Sequence, residues 1–315
     1  MTAHGKAANK KSGKLRGAPI DLHVHTTFSD GTLTPREVVQ LAKRVGLRAI
    51  AITDHDTVRG NREAAEEGRR LGVEVVPGVE VSVDFDVGTM HVLGYYVDIG
   101  CDTLVETLQK IENARHERNR KILEKLARLG MPLNYEEIKA IACEGPVGRP
   151  HIAQALVQKG HVVNLRAAFD KYLKKGAPAY AERLRFSEAE GIRTIREAGG
   201  IAVLAHPKSL SCNDTECLSA IVARLVSLGL QGIEVYYPSH SPEMQRTCES
   251  LAGQYGLIVT GGTDFHGAIY PEIQLGSGHG DLYVPYSVLE AMKSRLASNR
   301  TSQPGKSATW ELRAR

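Results

Sequence analysis

The chain is 315 residues long, 42% apolar and 24% charged, with a formal charge of +4 when histidine is neutral. That length can bury a substantial core, as one large α/β domain or as a domain with an insert. No apolar run reaches 18 residues, which excludes a membrane-spanning helix, and five cysteines at uneven spacing exclude a disulfide framework. Part of the positive charge is local: Lys6, Lys10, Lys11, Lys14 and Arg16 fall in a segment without acids, so residues 1–17 read as a disordered basic tail. The segment lacks the apolar stretch of a signal peptide, so the expected location is cytoplasmic, with free thiols and no membrane partner.

The apolar run Ala18–Val24 reads as a strand. Thr34, Pro35 and Glu37 supply an N-cap, an N1 proline and a capping-box partner for a helix that Gly46 ends. Ala49–Thr53 is the next strand, 59–71 a helix stopped by Gly72, and Val73–Val76 a third strand. Val79–Val83 is a fourth extended segment, and Met90–Val97 pairs with it as a hairpin. The rhythm breaks near residue 101. Leu104, Leu108, Ile111, Ile122, Leu126 and Leu129 mark a long helix with a charged middle, and further helices follow at 134–142, 149–159 and near 164–173. Residues 101–180 therefore read as a helical insert or cap above the mouth of a barrel. The α/β rhythm returns with helices at 187–198, 215–228, 242–255 and 285–296, and strands at 200–205, 232–235 and 257–261; 299–315 frays. Six or seven parallel strands plus a hairpin fit an α/β barrel or distorted barrel, formed by residues 18–100 and 181–298, better than an open dinucleotide sheet. No GxGxxG follows the first strand and no GxxxxGK[ST] occurs, which argues against a dinucleotide or P-loop site.

The chemistry-bearing residues stand at carboxyl ends of strands, where barrel sites form. His23 and His25 lie two apart on a strand, so both rings face one way, and Asp21 and Asp30 stand beside them. Asp54, His55 and Asp56 close the second strand. Glu80 follows Pro77-Gly78, where a carboxylate can bridge two cations. His91 interrupts an apolar run, His206 precedes Pro207, and Asp264 and His266 repeat the period-2 spacing. Imidazole and oxygen donors without thiolates suit manganese, iron(II) or zinc.

The motifs DLHVHTTFSDG at 21–31, AITDHD at 51–56, PGVEVS at 77–82, HVLGY at 91–95, AHP at 205–207 and GGTDFHG at 261–267 resemble the polymerase and histidinol phosphatase (PHP) superfamily over about residues 18–298. The spacing is most similar to stand-alone bacterial members that act on nucleotides. The resemblance implies a distorted (β/α)7 barrel and three divalent cations: one on His23, His25, Glu80 and Asp264; a second on Glu80, His91 and His206; a third on Asp30, His55 and His266. Asp21, Asp54 and Asp56 are then supporting carboxylates. A cation pair would lower the pKa of a shared water, which attacks phosphorus with no protein nucleophile.

Arg149 opens a helix in Val-Gly-Arg-Pro-His, where a guanidinium and a positive helix terminus coincide, and is the first candidate for a substrate phosphate; His151 and Lys208 are weaker ones. The expected function is phosphate removal from 3′,5′-nucleoside bisphosphates, with trimming of short 5′-phosphorylated RNA and no stable protein partner. A small-metabolite phosphatase acting on histidinol phosphate, and a non-catalytic metal-bound interaction module, are the alternatives.

Overall fold

The computed structural model describes residues 19–301, apart from 87, 143–146, 183–185 and 213. The basic tail at 1–17 and residues 302–315 lie outside the described residues. The first half-sheet comprises β1 (Ile20–Val24), α1 (Pro35–Arg44), β2 (Ala49–Ile52), α2 (Asn61–Leu71), β3 (Glu74–Val83) and β4 (Met90–Tyr95). After a helical stretch come α7 (Glu188–Glu197), β5 (Ile201–Leu204), α8 (Thr215–Ser227), β6 (Gly232–Tyr236), α9 (Pro242–Tyr255), β7 (Ile258–Gly261) and α10 (Ser287–Thr301). The seven strands are hydrogen-bonded in chain order, and β4 alone runs antiparallel to its neighbours. Because β4 is reversed, its N-terminal residue pair Met90-His91 lies at the rim that the other strands reach with their C-terminal ends.

The sheet curls until β1 meets the segment after β7. His25 N donates to Phe265 O at 2.9 Å and Phe265 N to His23 O at 3.3 Å. The Asp21 carboxylate completes this seam, accepting from Thr263 N at 2.9 Å, Thr263 Oγ1 at 2.5 Å and Gly276 N at 2.8 Å.

Two boundaries differ from the sequence expectation. Proline and glycine at 77–78 suggested a break, yet β3 runs through them as one strand. The Asn61 side chain explains this. It donates to Gly78 O at 2.8 Å and accepts from Gly78 N at 2.9 Å, pairing the glycine where a strand would otherwise stop. A side chain at 78 would also meet Ile52 O at 2.8 Å, so only glycine lets β2 and β3 stay in register. At the other end, the expected fraying from 299 is overtaken by α10, which continues to Thr301. The capping box of α1 forms as read: Thr34 N donates to Glu37 Oε2 at 2.9 Å and Glu37 N to Thr34 Oγ1 at 3.2 Å.

The helical stretch holds α3 (Asp102–Arg128), α4 (Tyr135–Ala142), α5 (Arg149–Gln158) and α6 (Leu165–Ala168), the last continuing as a π-helical turn to Leu173. α3 serves two cores. Leu104, Leu108 and Ile111 pack with α7, α8 and α9 against the sheet, whereas Ile122 and Leu126 join a separate cluster that runs to Ala181. Its charged middle is solvated only in part: His116, Glu117, Arg120 and Lys121 are exposed, and the rest is held to other segments. Arg115 from α3 ion-pairs with buried Asp56 in the loop after β2, and Arg59 reaches Glu112 at 3.4 Å. Arg118 and Asn119 are buried, and Asn119 Nδ2 donates to Val147 O at 2.7 Å, anchoring the entry to α5.

Candidate metal centre

All nine residues singled out at the strand ends converge on one rim. Glu80 is fully buried near the middle of β3 and stands at the centre. Its Oε2 lies 3.2 Å from His23 Nε2, 3.2 Å from His25 Nε2 and 3.1 Å from His55 Nδ1. Its Oε1 lies 2.7 Å from His91 Nδ1 and 2.9 Å from His206 Nε2. Asp264 Oδ1 is 3.0 Å from His25 Nε2 and 3.3 Å from His23 Nε2. Asp30 Oδ1 faces His266 Nε2 at 3.3 Å. Three sets of donor atoms gather closely: His23, His25, Glu80 and Asp264; His25, Asp30, His55 and His266; and His55, Glu80 and His91. The sets share members: His25, His55 and Glu80 each belong to two of them, and His206, expected beside Glu80 and His91, belongs to none, its place there being taken by His55.

Glu80 Oε1 pairs with His91 and His206, but other atoms of the set meet without hydrogen-bond geometry. His23 Nε2, His25 Nε2, Asp30 Oδ1, His55 Nδ1 and Glu80 Oε2 are buried and have no hydrogen-bond partner. An unpartnered buried polar atom costs about 1–3 kcal/mol, so five in one place need a common recipient. A cation is such a recipient, and the donor set of imidazoles and carboxylates fits one.

The opposite ring nitrogens are held, which selects the tautomer. His23 Nδ1 donates to Glu234 Oε1 at 3.0 Å, His266 Nδ1 to Asp264 O at 2.7 Å, and His206 Nδ1 pairs with Ser209 Oγ at 2.8 Å. Each bond turns Nε2 toward the centre. Backbone strain accompanies the placement: His206 (φ 26°), Asp264 (φ 56°) and Asp56 (φ 55°), next to His55, adopt left-handed conformations that non-glycine residues avoid.

Electrostatics bind the set together. Burial alone would raise the Glu80 carboxyl, but His55, His91 and His23 and the His206 hydrogen bond hold it well below the usual range. Asp30 and Asp264 are likewise lowered by their imidazoles against the effect of burial. Burial would depress His25 too, yet the Asp264 and Glu80 carboxylates facing it push it up to about 10. His55 goes the other way, to about 4, because burial outweighs Glu80 and Asp30.

The supporting carboxylates act less directly than expected. Asp21 accepts from the His23 backbone at 3.3 Å and otherwise closes the β1–β7 seam, without touching an imidazole ring. Asp54 accepts from Thr26 N at 2.7 Å and Ser29 Oγ at 2.6 Å, and Ser29 Oγ lies 3.4 Å from His25 Nδ1. Asp56 accepts from Ser82 N at 2.8 Å and pairs with Arg115. The carboxylate that does grip an imidazole is Glu234 on β6, which the sequence reading passed over. Besides His23 it accepts from His206 N at 2.8 Å. Its one sequence signal was a lone acid in the apolar strand Gly232–Tyr236. Glu234→Gln keeps the His206 bond and removes the charge behind His23. It is expected to weaken cation binding about 10–100-fold, measured by equilibrium titration of the cation-free protein.

The candidate phosphate residues are distributed differently. Arg149 begins α5, and its Nη1 donates to Leu173 O at 3.2 Å while the guanidinium lies 5.8 Å from the Tyr180 ring centre. His151 is buried, not on a helix surface, and its Nδ1 accepts from Gly148 N at 3.0 Å. Burial, the largest effect, brings its pKa down, with Asp30 raising and Arg115 lowering it. Lys208 Nζ donates to Ser239 O at 2.9 Å on the surface.

A curled α/β sheet whose rim aims buried imidazole and carboxylate lone pairs at common points defines a metal-dependent hydrolase. A model of the PHP domain matches residues 21–182. The 3′,5′-nucleoside bisphosphate phosphatase of Chromobacterium violaceum is 36% identical over 79% of this chain and 87% of its own. The 5′-3′ exoribonuclease Rnm of Escherichia coli is 34% identical over 81% and 87%. The phosphoribosyl 1,2-cyclic phosphate 1,2-diphosphodiesterase of Eggerthella lenta is 34% identical over 78% and 94%. A solved structure described as a metal-dependent phosphoesterase, from Bifidobacterium adolescentis, superposes with a TM-score of 0.77 at 28% identity, covering 88% of this chain and 96% of that one. The chain belongs to the PHP domain family, and its class is metal-dependent phosphoesterase. No helix among the described residues is long and apolar enough to cross a membrane.

Proposed function

We propose that the rim holds three divalent cations and hydrolyses phosphate esters of nucleotides. His23, His25, Glu80 and Asp264 would hold one; Glu80 would bridge to a second held with His91 and His206; Asp30, His55 and His266 would hold the third. The observation that carries this reading is the group of five buried, unpartnered donor atoms on His23, His25, Asp30, His55 and Glu80. Manganese is the cation we favour, with iron(II) or zinc as substitutes, since the donors are imidazole and oxygen and no described cysteine belongs to the sets. When bound, divalent cations lower the pKa of water and neutralise charge on phosphoryl oxygens. The chain's own residues do the rest. Glu234, Ser209 and the Asp264 carbonyl fix three imidazoles in one tautomer, and Asp54 steadies His25 through Ser29. Arg149 and His151, at the start of α5, lie on the helical stretch that Asn119 and Arg115 tie to the sheet, and we assign them a second phosphate of the substrate. Lys208 is a weaker candidate for the same role, given its bond to Ser239 O.

The substrate we favour is a 3′,5′-nucleoside bisphosphate, with trimming of short 5′-phosphorylated RNA in the 5′-to-3′ direction. Support comes from the relatives that carry those activities in their names and from the arginine at the α5 terminus. The test is phosphate release, with manganese present, from adenosine 3′,5′-bisphosphate, phosphoribosyl 1,2-cyclic phosphate and histidinol phosphate, followed by a 5′-phosphorylated RNA ladder. The bisphosphate should be turned over with the highest kcat/KM. A higher value on either other substrate removes the nucleotide assignment. No release from any of them by fully loaded protein would instead mark a non-catalytic binding module.

Cation uptake should also release protons. With its pKa near 10 in the cation-free site, His25 is protonated at neutral pH and must lose that proton to donate its lone pair. His55, near 4, is already neutral and contributes none. His23, also raised well above its ordinary value by Glu234, Asp264 and Glu80 against the effect of burial, adds a further proton, so affinity should rise by at least about one decade per pH unit from neutrality upward, levelling off as these pKa values are passed. Calorimetry in two buffers of different ionisation enthalpy reads the proton count. A pH-independent affinity with no proton release counts against His25 as a ligand.

A further inference from the structure

Phosphoester hydrolysis makes no use of Cys212 and Cys217, which stand at the start of α8. Their sulfurs are 2.9 Å apart, with Cys217 Sγ–H donating to Cys212 Sγ. Both ends of the connecting turn are held by other contacts. Cys212 packs, half-buried, against the core under the sheet, and it follows Ser211, whose backbone is left-handed at φ 56°. Asp214 caps α8 and accepts from Cys217 N at 2.8 Å. Closing a bond from 2.9 Å requires the sulfurs to approach by only about 0.9 Å. The other described cysteines offer no such pair: Cys248 is buried and Cys101 half-buried, and neither has a second thiol beside it.

We propose that Cys212 and Cys217 form a thiol–disulfide modification site, oxidised by a low-molecular-weight disulfide to an intramolecular bond. Cys217 is exposed and meets the oxidant first. Its thiolate attacks one sulfur of the small disulfide, forming a mixed disulfide and expelling one thiolate. Cys212 then attacks the Cys217 sulfur, forms the Cys212–Cys217 bond and expels the second thiolate. Two protein thiols are oxidised, one small disulfide is reduced, and the two thiol protons end on the two released thiols. Burial, the largest cause, holds the Cys212 thiol above its ordinary range, which leaves the exposed Cys217 to react first. The order of events is thus set by exposure and by the contact itself.

The experiment uses the full chain loaded with cation, incubated with oxidised glutathione, quenched by alkylation and mapped by peptide mass. The expected result is a peptide spanning 212–217 that has lost two hydrogens, with two alkylatable thiols gone. It should form at least about tenfold faster than any modification of Cys101 or Cys248. Cys212→Ser should accumulate a stable glutathione adduct on Cys217, and Cys217→Ser should never lose the hydrogen pair. A wild-type protein that keeps the adduct on Cys217 with Cys212 still alkylatable overturns the proposal. So does survival of both thiols for as long as buried Cys248.

Discussion

Glu80→Gln is expected to lower phosphate release by on the order of 10³-fold and to remove at least one cation from the loaded protein. The side chain is fully buried, and its two oxygens reach five imidazoles between them, at 2.7 to 3.2 Å. Glutamine preserves the volume but replaces one acceptor oxygen with an amide that offers protons and no lone pair. Whichever oxygen is lost, either the His23–His25–His55 side or the His91–His206 side loses its carboxylate. The negative charge goes as well, and that charge helps to gather the rings. Because the exchange is isosteric, the far-ultraviolet circular dichroism should stay native, which separates lost chemistry from lost fold. Activity within tenfold of wild type, with full cation content, would remove Glu80 from the centre of the mechanism.

Gly262→Ala should act through the fold with nearly as large a consequence. A methyl group there would lie 2.3 Å from His23 N, 2.4 Å from His23 Cβ and 2.8 Å from His23 Cα. Those atoms belong to β1 and its first carbon, so no flexible side-chain end can move aside. Relief requires β1 to part from the segment after β7, which breaks the Asp21–Thr263 bonds and draws His23 away from Asp264. Overpacking of this kind costs about 1–3 kcal/mol, a drop in Tm of roughly 5 °C. A shift of about 1 Å between reacting groups costs on the order of 10²-fold in rate. Gly253→Ala is the matched control. It lies inside α9 with nothing within 4 Å of the added carbon, and alanine there should stabilise by about 0.5–1 kcal/mol. If Gly262→Ala keeps wild-type Tm and cation affinity, the seam is not what holds His23 in place.

Much of the site is legible because strand period and strand ends are local properties. His23 and His25 face one way because they are two apart, and their rings do stand 5.2 Å apart over Glu80. His55, His206, Asp264 and His266 follow short apolar runs, and those runs became strands whose ends share a rim. Glu234 escaped because a single acid in a five-residue strand carries no spacing signal. Its role comes from β6 lying beside β5, which places it between His23 and His206. Arg115, Arg118 and Asn119 escaped for a related reason. A charged stretch of helix reads as a solvated face, and what covers it comes from elsewhere in the chain: Asp56 from the loop after β2, and Val147 from the entry to α5.

Local pattern by itself was enough to specify most of the strands and helices, the α/β class and the inventory of imidazole and carboxylate donors other than Glu234, since each depends on residues within a turn or a strand of one another. Tertiary structure alone decided how the donors are shared, with His25 and His55 each standing between two sets, and which carboxylate grips an imidazole. It also decided that β3 runs unbroken through Pro77 and Gly78, and that helix α3 is pinned to the loop beside His55. Those outcomes depend on distances between residues remote in the chain, which only closure of the sheet and the packing of helices across it can set.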